Sequence, residues 1–105
     1  MNDYRPEVRS LLKSLRQAGF TLLSVNNGGE TVRYSAVSKT EFLEEVVAAD
    51  EATLRLQHNN RKVGIFLVLG NEPGVIACDY TDYDPLEKVI DAHYDKWENR
   101  KQPTC

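Results

Sequence analysis

Within "CDYTDYDP" (residues 78–85), the carboxylates of Asp79, Asp82 and Asp84 are interleaved with the phenols of Tyr80 and Tyr83. Acids this close together could hold a hard cation, act as acid and base, or mark the seam where a strand ends and a helix begins. A helix-loop-helix calcium loop takes ligands at alternate positions, with glycine at the sixth and a carboxylate at the twelfth, because the chain must curl around a large ion. The spacing 79, 82, 84 misses that alternation, and Pro85 stands where the turn would need glycine. Asp84 reads instead as a helix N-cap, with Pro85 at the first helical position and Glu87 completing a capping box. Asp79 and Asp82 remain, at a strand exit beside Tyr80 and Tyr83. These four form a candidate partner-binding loop, since tyrosine beside polar groups is enriched at interfaces. No metal and no cofactor is expected.

His93 falls on the apolar face of the last helix, one turn before Trp97. Joined with Asp79 and Asp82, these two would make the alternative site, a pocket for a small molecule or a reaction. A single histidine among Leu86, Val89, Ile90 and Trp97 reads more simply as a core residue bonded to a backbone group. His58, beside "NNRK", is expected at an exposed hairpin tip. The two histidines are not an i, i+4 pair, and neither Cys78 nor Cys105 lies at ligand spacing to them. There is no G-x-S-x-G nucleophile elbow, and "NNGG" and "GNEPG" do not continue as phosphate loops. No catalytic residue is assigned, and the chain is read as a binding module in preference to an enzyme.

A second pattern lies on the helices. Arg5, Arg9, Lys13 and Arg16 follow steps of four, four and three, and so share one stripe of a helix; Glu87, Asp91, Asp95 and Glu98 repeat the same steps with the opposite sign. Charged stripes are the ordinary outside of amphipathic helices. The sharper expectation is that they meet, within the chain or across a homodimer, and set orientation or partner choice. The basic stripe is therefore a second candidate partner surface. Phosphate contact is the weaker reading, because no aromatic residues alternate with the cations to stack bases.

The elements that must carry these residues follow from periodicity. Val8, Leu11, Leu12 and Leu15 at helical spacing, between Pro6 and Gly19, predict a helix over 6–18. "FTLLSV" (20–25) and "ETVRYS" (30–35) predict a hairpin around "NNGG", and Ser38 with Glu41 opens a second helix over 39–49. Residues 52–58 alternate, "NNRK" turns, and residues 63–69 form a continuous apolar run; "GNEPG" (70–74) turns again into a strand over 75–80. The last helix follows Asp84, and the tail 99–105 is expected to fray. The order α-β-β-α-β-β-β-α predicts a single α+β domain over 1–105, a twisted antiparallel sheet of about five strands with helices mainly on one face. The 63–69 run, apolar toward both faces, would then leave Phe66 and Val68 to a partner or ligand.

Composition bounds the function. The 105 residues are 41% hydrophobic and 28% charged, enough to bury a core and unlike a disordered chain. A formal net charge of -3 argues against a general binder of nucleic acid or anionic membrane. Two cysteines build no disulfide framework, and neither a signal pattern nor a membrane-spanning run is seen, so a cytoplasmic location is expected. The reading is a small non-enzymatic binding or regulatory domain working by protein contact or self-association.

Overall fold

The computed structural model describes residues 4–69 and 76–101, with side chains through Trp97. Helix α1 (Arg5–Gln17) opens with Pro6 in its first turn, where a missing N–H costs nothing. It closes on Gly19, whose φ of 95° is the left-handed geometry that a side chain resists. Helix α2 (Lys39–Val46) starts with both halves of a capping box: the Ser38 hydroxyl accepts from the Glu41 N–H, and the Glu41 carboxylate accepts from the Ser38 N–H. It stops three residues short of the expected end, and Val47 to Asp50 turn into the next strand.

Strands β1 (Thr21–Asn26), β2 (Thr31–Arg33), β3 (Glu51–His58), β4 (Arg61–Val68) and β5 (Ala77–Tyr80) form one antiparallel sheet in the order β2-β1-β3-β4-β5. The expected strand over 30–35 is shorter, because Tyr34–Ala36 coils into a 3-10 turn. The β3–β4 hairpin closes through Asn59 and Asn60, at φ 49° and 66°, which match the right-handed twist of the strands. The expected "GNEPG" turn and the first residue of the strand expected over 75–80 lie outside the described residues.

Helix α3 (Asp84–Lys101) begins at Asp84 itself, one residue before the expected start. The Tyr83 carbonyl accepts from the N–H groups of Leu86 and Glu87, so Asp84 and Glu87 both sit in the first turn, where a carboxylate complements the helix dipole. The helix reaches into the segment expected to fray; residues 102–105 lie outside the described ones.

Ala52, Leu54 and Leu56 of β3 and Val63, Ile65 and Leu67 of β4 point to one side and are buried with Val8, Leu11 and Leu15 of α1, Phe42 and Val46 of α2, and Leu86 and Ile90 of α3. All three helices therefore cover one face of a mixed α+β fold. Two bulges keep edges in register with this core. Leu23 is an extra residue opposite β3, so Leu22 and Val25 both face inward, and Cys78 is extra opposite β4, so Ala77 and Tyr80 face the helices while Asp79 faces out. On the outer face Phe66 and Val68 are only half-buried. Among the described residues no helix is long and apolar enough to cross a membrane.

Candidate functional site

Packing α1 beside α2 leaves a groove whose floor is Leu12 and Leu43, each nearly buried. Arg9 and Arg16 rise from α1 and Lys39 and Thr40 from the first turn of α2, around a cavity of about 210 Å³. Arg9, Leu12 and Arg16 sit at i, i+3 and i+7, and Lys39 and Leu43 at i and i+4, so each helix turns one ridge of side chains toward the gap. Among the described residues Glu44 is the single carboxylate lining it, and Arg5 engages that acid through two nitrogens at 2.6 and 2.9 Å. Arg9, Arg16 and Lys39 have no ion pair among the described residues. The groove is thus an apolar floor under three cations, beside the positive end of α2.

Of the basic stripe, then, Arg5 ties α1 to α2, Arg9 and Arg16 border the groove, and Lys13 is exposed beside it. Of the acidic stripe, Glu87, Asp91 and Asp95 lie elsewhere, and the Glu98 side chain is outside the described ones. Glu87 and Asp91 stand near Tyr80 on the far edge of the sheet: burial first, then the carboxylates of Glu87, Asp91, Asp79 and Asp82, hold the Tyr80 phenol above its ordinary value. Asp91 and Asp95 flank Tyr94, the one large hydrophobic side chain exposed among the described residues, at 42%.

The aspartate loop has a local explanation for most of its residues. Thr81 donates its N–H inward to the Gly64 carbonyl, so the Tyr80 N–H points off the open edge of the sheet. There the Asp79 carboxylate accepts it at 2.9 Å, capping a donor that another strand could otherwise use. Tyr83, placed by sequence on a partner-contact loop, turns back instead: its hydroxyl lies 2.6 Å from His58 Nδ1, and Arg61 stacks 4.9 Å above its ring. His58, expected to be exposed, is half-buried, with Phe20 stacked on it at 4.5 Å. The correction has a plain cause, since the β3–β4 hairpin tip folds against the loop before α3. Asp82 is exposed and Tyr80 half-buried.

His93 corrects a second expectation. Its partner is no backbone group but the carboxylate of Glu7, with Nε2 at 2.7 Å from Oε2 and both side chains almost wholly buried. Trp97 stacks at 6.3 Å from the imidazole and donates its indole N–H to Ser10, which also accepts from Lys96. Nδ1 of His93 is buried without a hydrogen-bond partner among the described residues. The pair joins α1 to α3 under the helical layer. Asp79, by contrast, lines a shallow hollow on the outer sheet face with Thr53, Gly64, Phe66 and Thr81, so Asp79 and Asp82 are not brought together with His93 and Trp97. No group of three potential metal ligands is found among the described residues.

Sequence reasoning missed three participants: Glu7, Lys39 and Tyr94. Glu7 carried a signal, because it lies four and eight residues before Leu11 and Leu15 on the apolar stripe, where an acid must find a partner. Lys39 carried none, since which helix faces α1 is a matter of topology. No protein-family model matches the chain, and neither a curated protein nor a solved structure matches it.

Proposed function

We propose that the chain is a small cytoplasmic, non-enzymatic binding domain that works by protein contact, with the α1–α2 groove taking an acidic segment of its partner. The observation that carries this reading is the convergence of Arg9, Arg16 and Lys39, without carboxylate partners among the described residues, over Leu12 and Leu43. Cations of one sign around a small apolar floor favour a ligand that combines negative charge with one hydrophobic group. They speed its encounter and reject basic competitors. A nucleic acid would require a longer basic track with stacking aromatics, and the groove offers neither. A small-molecule or enzymatic reading through Asp79, Asp82 and His93 has less support, since those groups lie apart.

The test is an amide-resolved NMR titration with a synthetic peptide bearing one tyrosine among aspartates, beside a lysine-substituted control. Saturable shifts at Arg9, Arg16, Lys39 and Thr40 with the acidic peptide alone are expected, and they should vanish in R9E/R16E. Shifts absent from the groove, or equal with both peptides, would overturn the assignment.

A further inference from the structure

We infer that the acidic segment fitting the groove belongs to a second copy of the chain: the outer face of α3, with Tyr94 as the anchor and Asp91 and Asp95 as its charges. This rests on the groove being a site for an acidic partner, and adds which partner it is.

The complementarity has three parts. First, Tyr94 is the one large hydrophobic side chain exposed among the described residues, and the groove is a ring-sized cavity with an apolar floor. A phenol entering it would place its face beside Arg9 or Arg16, where a guanidinium is attracted to the ring, and leave the hydroxyl at the wet mouth. Second, Asp91 stands one turn before Tyr94 on the helix surface and Asp95 lies further round in the same direction, so both carboxylates sit to one side of the ring, where cations at the rim of the cavity can meet them. Third, the two surfaces lie on opposite flanks of the helical layer. The groove is between α1 and α2, and α1 also packs on α3 through Glu7 with His93 and Ser10 with Trp97; Glu87 and Asp91, on the acidic face, look toward Tyr80 of the edge strand β5. One copy therefore cannot fill its own groove, and every copy can give and receive.

The consequence is a head-to-tail contact, not a two-fold one. A donor surface that differs from its acceptor generates a ring if the rotation closes and a filament if it does not. Being electrostatic at its border, the contact should strengthen at low salt and weaken as added ions screen it.

The experiment uses the full chain and two variants altered only at exposed positions, each checked by circular dichroism for an intact fold. R9E/R16E keeps the donor face and loses the groove; D91A/Y94A keeps the groove and loses the donor. Sedimentation velocity across a concentration series at low salt should show the unaltered chain growing beyond a dimer. Each variant alone should associate at least about tenfold more weakly. Mixed one to one, the variants should form a dimer and stop there, because only one live groove meets one live donor face. An unaltered chain that stays monomeric at every concentration would overturn the inference. So would a dimer that forms equally from either variant alone, which would indicate a two-fold interface elsewhere. The acidic-peptide titration is read separately: groove binding by a monomeric chain would sink self-association and leave the protein-contact reading standing.

Discussion

Glu7 and His93 solve one another's problem. At 2.7 Å the carboxylate and the imidazole give each other a hydrogen bond in surroundings that would penalise an unpaired polar group. Replacing His93 removes a buried, hydrogen-bonded pair with Glu7, so His93→Leu should lower stability by about 3 kcal/mol in urea unfolding, and the double replacement Glu7→Leu with His93→Leu should recover a good part of that. Tyr80 carries a prediction for alkaline pH. Its phenol titrates above the ordinary value of about 10, because of burial first and the neighbouring carboxylates second. Below about pH 10 the folded and unfolded chains both keep the proton, and the group's contribution is intact. As pH rises further the unfolded chain releases its proton first, so stability falls until the folded phenol titrates as well. An ultraviolet phenolate titration should show a late-titrating component that Tyr80→Phe removes.

At the scale of elements, local chemistry decides boundaries and long-range packing decides lengths. The Ser38 cap is one such local device, and Ser38→Ala should cost about 1 kcal/mol in thermal or urea unfolding while leaving the groove in place. The α2 start, the Asn59–Asn60 turn and the Gly19 stop were legible because each rests on residues whose conformational preferences are strong and nearby. The bulges at Leu23 and Cys78 were not. Their residues carry no signature of their own, and the extra residue is detectable only against the partner strand that it slips past. The same limit explains the site. The basic stripe of α1 could be read from spacing, but its apposition to Lys39 and Leu43 depends on α2 lying beside α1, a tertiary fact. His58 and Tyr83, 25 residues apart, meet for that reason too.

Across the whole molecule, negative charge predominates, with a net of -3, yet Arg9, Arg16 and Lys39 gather at the α1–α2 groove while Glu87 and Asp91 gather near Tyr80. Since Arg9 and Arg16 are exposed and make no ion pair among the described residues, R9E/R16E should change folding stability by no more than about 0.5 kcal/mol while abolishing groove binding, a separation of stability from function measurable on one sample. The sheet order adds a consequence in time. The central pair β3–β4 is joined by a two-residue turn, and so closes with little loss of chain entropy. Strand β1 must instead find β3 across the whole of β2 and α2. The chain should therefore fold outward from its middle, the hairpin serving as a template on which the N-terminal third is laid down later. In pulsed hydrogen exchange, the amides that β3 and β4 exchange with one another would become protected before those paired between β1 and β3. The groove that receives the partner would then be completed last, since it exists only once α1 has docked beside α2.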